Sequence, residues 1–151
     1  GGLHGGCGGD ATVDGLNKVC SLNVSDKELM KIYRDETHRL IGLCMEVHRG
    51  LGKGHNEILY KDAFVVELKQ AEVPFVREQR FDVTYKGVTL AQPYFADFVI
   101  WGKIVFEGKA VDKLTDSHIK QTLNYLAAAK LRVGLLVNFG GDSLEWKRVI
   151  L

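Results

Sequence analysis

Ile104-Val105-Phe106-Glu107-Gly108-Lys109-Ala110-Val111 is an apolar strand sequence interrupted by two opposite charges. Their separation of two puts the Glu107 and Lys109 side chains on one face of the strand. Burying charge is costly unless it is paired or bound to a metal, so this placement needs a cause. Just upstream, Tyr94-Phe95-Ala96-Asp97-Phe98-Val99-Ile100 carries a second carboxylate, Asp97, in a similar setting. A hairpin around Gly102 brings Asp97 and Glu107 near one another. Two carboxylates at close range repel, and the arrangement becomes stable when a divalent cation sits between them. Lys109 beside them can steady an attacking water or developing phosphate charge. The bland alternative is a plain ion pair of Glu107 with Lys109, with Asp97 bonded to nearby backbone.

Outward from these strands, the spacing defines the remaining elements. Ser25 with Glu28 is a capping-box signature, and Leu40, Cys44, Val47 and Leu51 form one helical stripe. Gly50, Gly52 and Gly54 end that helix. A second helix is expected from about Asn56 to Glu72, with Leu59, Ala63 and Val66 inward and Pro74 beyond its end. Phe81, Val83 and Tyr85 alternate with Arg80, Asp82 and Thr84, which predicts a half-buried strand, and Lys86-Gly87 a tight turn. On the C-terminal side, Thr115 to Ala129 reads as a helix with Ile119, Leu123 and Leu126 on one face. Leu131 to Val137 is nearly continuous apolar sequence, as in an inner strand covered on both sides. Leu144 to Leu151 supplies a last strand. The order helix, helix, three or four strands, helix, strand, strand predicts an α/β sandwich, a central mixed β-sheet flanked by helices.

The 151 residues suit one domain. Residues 25–151 form the expected domain. Residues 1–24 are a separate segment, with six of the first nine residues glycine, and read as a flexible tail or as an arm ordered by a neighbouring subunit. No run approaches the roughly 20 apolar residues that span a bilayer, and the start does not resemble a signal peptide, so a cytoplasmic protein without membrane contact is the default. The 3 cysteines form no C-x-x-C pair, which argues against a zinc site or a disulfide framework. A net charge of +1 speaks against an extensive non-specific grip on nucleic acid, because phosphate neutralisation supplies much of that affinity. It leaves room for a local site around one phosphate. The Gly50 to Gly54 glycines lack the lysine-serine/threonine ending of a phosphate-binding loop.

A-D-F-V-I, a turn, and I-V-F-E-G-K-A-V resemble the D-x(n)-E-x-K signature of the PD-(D/E)XK nuclease superfamily. Gln121-Thr-Leu-Asn-Tyr125 is similar to the Q-x-x-x-Y pattern of its RecB-like exonuclease branch. The four-residue spacing puts Gln121 and Tyr125 on one side of a helix. His118 lies one turn earlier and reads as a solvated helix residue. Gly54-His-Asn-Glu57-Ile-Leu-Tyr60 resembles the G-x-x-E-x-x-Y motif that names the small bacterial GxxExxY family, as do E-V-H-R-G-L-G, A-V-D-K-L-T and L-V-N-F-G. The resemblance spans about residues 36 to 151.

The resemblance implies a PD-(D/E)XK nuclease-like fold and hydrolysis of nucleic acid, DNA foremost, with Mg²⁺ or Mn²⁺. Asp97, Glu107, the Gly108 carbonyl and Glu57 become the expected metal ligands, and Lys109 the catalytic lysine. Gln121 and Tyr125 become substrate-positioning residues, Gln121 counting also as part of the catalytic set. For Tyr60 and Tyr125, core packing with a bonded hydroxyl is the competing role. Gly108 departs from the pattern, since relatives usually carry an apolar residue there, and a glycine loosens a strand. A rival of another class is a non-catalytic nuclease-fold module that assembles as a homo-oligomer, even a large closed one, through its N-terminal arm and apolar residues such as Trp146.

Overall fold

Gly102, with φ +66°, turns the chain between two strands whose ladder pairs Ile100 with Ile104, Val99 with Val105 and Phe98 with Phe106. The expected hairpin therefore organises the sheet. In the computed structural model, Thr12–Val13, Glu28 and residues 31–151 are described. Their order is β1 (Thr12–Val13), α1 (Arg34–Leu51), α2 (Glu57–Gln70), β2 (Phe75–Phe81), β3 (Thr84–Tyr85), β4 (Val88–Thr89), β5 (Tyr94–Ile100), β6 (Ile104–Lys109), α3 (Asp116–Ala129), β7 (Val133–Asn138) and β8 (Glu145–Ile150).

The main sheet runs β1-β8-β7-β6-β5-β2. Among the described residues only β6 and β7 are parallel, joined by a crossover through α3, as a connection between parallel neighbours requires. Odd and even residues of the central strands serve opposite faces. Phe98, Ile100, Ile104, Phe106, Val133, Leu135 and Val137 pack against α1 and α2, while Val99, Val105, Leu136 and Val149 meet α3. Coverage on both sides explains why all of β7 is buried. This is the expected α/β sandwich with a mixed sheet. Among the described residues, no helix is long and apolar enough to cross a membrane.

The local signals behave as their chemistry dictates. Gly52, at φ +69°, closes α1 by returning its N–H to the His48 carbonyl. The Asn56 side chain caps α2 by accepting from the Leu59 N–H at 2.9 Å. His118 is drawn into the cap of α3, its Nδ1 accepting the Thr115 N–H at 3.0 Å, so it is a capping residue rather than a merely solvated one. Cys44 is fully buried among the α1 core residues.

Three expectations need correction or restriction. The inward face of α2 is Tyr60, Phe64 and Leu68, whereas Leu59 and Val66 are exposed. Both triplets have helical spacing, and the rings decide between them: Tyr60 stacks on Phe139, while Phe64 stacks on Phe106 and meets Phe98 edge-on. The alternation around Phe81 to Tyr85 is not one strand. The sheet strand β2 starts directly after Pro74, and Thr84–Tyr85 pairs with Val88–Thr89 in a separate exposed hairpin, whose Lys86-Gly87 turn has φ +50° and +77°. Period-two patterning had no second sheet to face there. The Ser25 cap lies outside the described residues, as does most of the 1–24 segment, of which Thr12–Val13 pairs with Val149 and Ile150.

Candidate metal and active site

Beyond the Phe98–Phe106 pair, β5 and β6 part company. β6 stays with β7 out to Lys109 opposite Asn138, while β5 stays with β2 out to Tyr94 opposite Phe81. At the fork, side chains take over from the backbone ladder. The Asp97 N–H donates to Glu107 Oε2 at 2.6 Å, and the Gly108 N–H donates to Asp97 Oδ2 at 2.8 Å. Each carboxylate thus satisfies a backbone donor on the other strand, which fixes both at the same point. The hairpin reading placed Asp97 beside Glu107, and the structure does so by this reciprocal exchange.

Glu107 is 2% exposed. Burial foremost, and then the Asp97 charge, push its pKa up to about 8, against the opposing pull of the Asp97 N–H, Lys109 and Lys61. Lys109 leaves β6 on the same side as Glu107 and donates to Gln121 Oε1 of α3 at 3.1 Å. Gln121 therefore holds the lysine by its head. Tyr125, one turn on, lies against Tyr94 with ring centroids 5.2 Å apart. Its hydroxyl is pushed up to about 12 by burial first and by the Glu107 and Asp97 charges next, so it stays protonated and able to donate at neutral pH. Tyr94, Phe95, Lys120, Gln121, Asn124 and Tyr125 are among the residues lining an open cleft of about 460 Å³, within the range of ligand sites.

Glu57 reaches the site through another residue. Lys61 Nζ stands 2.7 Å from Glu57 Oε2 and 2.8 Å from Asp97 Oδ1. Sequence reasoning missed Lys61, although the Glu57-to-Lys61 spacing of four is the mark of a helical ion pair. The spacing alone does not show that Asp97, on β5, completes the pair. A Cβ at Gly108 would meet only ordinary van der Waals neighbours, Phe106 Cε1 at 3.5 Å and Cγ and Cε of Lys61 at 3.7 Å, so the stem of that lysine passes close over the glycine. Tyr60 sits in the core, fully buried, donating its hydroxyl to the Gly52 carbonyl.

The donor chemistry suits a hard divalent cation. Asp97 and Glu107 offer oxygen ligands only, and the burial and then the Asp97 charge that raise the Glu107 pKa are both offset by a nearby positive charge. The ammonium already inserted between Glu57 and Asp97 shows that the site draws a cation. Among the described residues no group of three His, Cys, Asp or Glu side chains stands ready to hold an ion. Glu57, one of the expected ligands, is engaged by Lys61.

Metal-free stability should depend on pH through Glu107, which faces Asp97, Tyr125, Lys109 and Lys61. Its folded pKa lies above the ordinary value of 4.5. Its stabilising contribution is therefore full below about pH 4.5 and is lost as pH rises through about 8. In chelator, melting temperature should fall between pH 5 and 8 by the equivalent of a few kcal/mol, and Glu107→Gln should flatten most of that decline. Thermal melts at several pH values check it.

A family model described as the PD-(D/E)XK nuclease superfamily matches residues 34–149. The chain belongs to that superfamily. No curated protein and no solved structure matches the chain.

Proposed function

We propose that this chain is a metal-dependent nuclease that hydrolyses DNA phosphodiester bonds at the fork between β5 and β6. The observation that carries this reading is the gathering of Asp97, Glu107, Lys109 and Gln121 at one opening of the sheet, with Lys109 already held by Gln121. Asp97 and Glu107 are the metal ligands, the Gly108 carbonyl and Glu57 further oxygen donors, and Mg²⁺ or Mn²⁺ the fitting ions. A divalent ion held there supplies Lewis-acid polarisation and a more acidic bound water.

Lys109 presents its ammonium to the oxygen that attacks phosphorus and to the charge that grows on the phosphoryl oxygens. Gln121 fixes the lysine's direction. The Tyr125 hydroxyl, kept protonated, donates to the substrate, and the cleft beside it offers aromatic faces on which flanking bases stack. The net charge of +1 fits a grip confined to the nucleotides around one phosphate. Gly54, Glu57 and Tyr60 match the GxxExxY motif, and Gln121 and Tyr125 the RecB-like pattern, which supports placing the chain in those branches. The test is cleavage of single- and double-stranded DNA and RNA in Mg²⁺ and in chelator. Mg²⁺-dependent DNA cleavage is the expected result; no cleavage of any of these substrates overturns the reading.

A further inference from the structure

Lys61 stands at the fork, and the proposed reaction does not use it. Its side chain is 13% exposed, and an ammonium so withdrawn from water needs close compensation. Glu57 and Asp97 supply it at 2.7 and 2.8 Å. Burial works against its charge, and the hydrogen bonds to Asp97 and then Glu57 prevail, raising its pKa above the ordinary lysine value. Its stem runs past Gly108, Cγ and Cε each lying 3.7 Å, an ordinary van der Waals distance, from where a Cβ would stand. The ammonium is therefore built into the site rather than lying across it from the surface.

The geometry points to Lys61 as a resident competitor for the divalent metal: its ammonium and the ion contend for the Asp97 and Glu57 carboxylates, so metal enters only as Lys61 swings away. The inference rests on the metal-dependent reading above and deepens it by naming what regulates loading of the site. Its physical basis is simple. A carboxylate oxygen that faces an ammonium at ion-pair distance cannot also face a divalent cation without setting like charges a few ångströms apart, where water screens them poorly. Metal affinity is then set lower than the carboxylates alone would give, by the fraction of molecules in which Lys61 has moved aside. Lys61 touches the site through Asp97 and Glu57, so it is a positioning residue and not a catalytic one.

The test is calorimetric titration of the purified full chain with Mn²⁺ alone, without nucleic acid. Lys61→Met, which keeps the stem and removes the charge, should bind Mn²⁺ at least about tenfold more tightly than the native chain. Lys61→Arg, which keeps the charge, should stay within a few-fold of native. A second measurement needs no variant: amine acylation of Lys61 in the native chain, read by peptide mass spectrometry, should rise when Mn²⁺ is added, because the released ammonium meets solvent. Equal or weaker Mn²⁺ binding by Lys61→Met, or acylation unchanged by metal, overturns the inference while leaving the nuclease reading intact. Absence of Mn²⁺ binding in the native and Lys61→Met chains alike overturns both.

Discussion

Lys109→Ala and Glu107→Gln are each expected to lower Mg²⁺-dependent DNA cleavage by at least about a hundredfold, with the fold retained. The two changes act on different parts of one event. In the proposed reaction Lys109, held by Gln121, follows the growing negative charge, so its loss would remove a preorganised electrostatic contact. Glu107→Gln keeps the side-chain shape and an oxygen for the Asp97 N–H, but lowers the charge that holds a cation. Because Glu107 is a buried acid, its neutral analogue should melt no lower than native in chelator at pH 8. Loss of activity without loss of stability separates a site residue from a structural ion pair. Single-turnover cleavage rates beside thermal melts make the measurement, and unchanged rates in both variants would return Glu107 and Lys109 to the bland reading.

Gly140→Ala should lower stability by about 3 kcal/mol or more. A Cβ at 140 would lie 2.3 Å from the Val111 carbonyl oxygen and 2.6 Å from the Val111 nitrogen, and backbone cannot rotate aside as a side chain can. The neighbouring clamp would open with it. Asn138, fully buried, accepts the Val111 and Gly140 N–H groups and donates to the Val111 carbonyl, while the Phe139 N–H donates to the Lys109 carbonyl at 2.8 Å. These bonds fix the chain as it leaves Lys109. The variant should therefore lose cleavage rate even below its lowered melting point. Denaturant titration and the cleavage assay at low temperature check the two effects separately.

Much of this molecule could be read from residue patterns, for identifiable reasons. The two charges of β6 and the carboxylate of the strand before it single out Asp97, Glu107 and Lys109 from the residues, while their expected roles came from the resemblance to the D-x(n)-E-x-K signature. Gly102 and the Lys86-Gly87 pair announce their turns because positive φ is cheap for glycine. β7 is legible because burial on both faces removes alternation. What escaped depends on distance in sequence. Nothing local distinguishes the Leu59 and Val66 stripe from Tyr60, Phe64 and Leu68; the aromatic rings of the facing sheet decide it. Lys61 lies 36 positions before Asp97, and only the packing of α2 beside β6 unites them. His118 could have been read as a cap from its place three residues after Thr115.

The central claim is that carboxylates from the two forking strands bind one divalent ion. Crystals grown or soaked in Mn²⁺, with data collected at the manganese absorption edge, address it most directly. An anomalous peak within bonding distance, about 2.0–2.3 Å, of oxygens from both Asp97 and Glu107 is the predicted result. A peak bound elsewhere, or none at the fork in crystals of a chain that cleaves DNA with Mn²⁺, would contradict it.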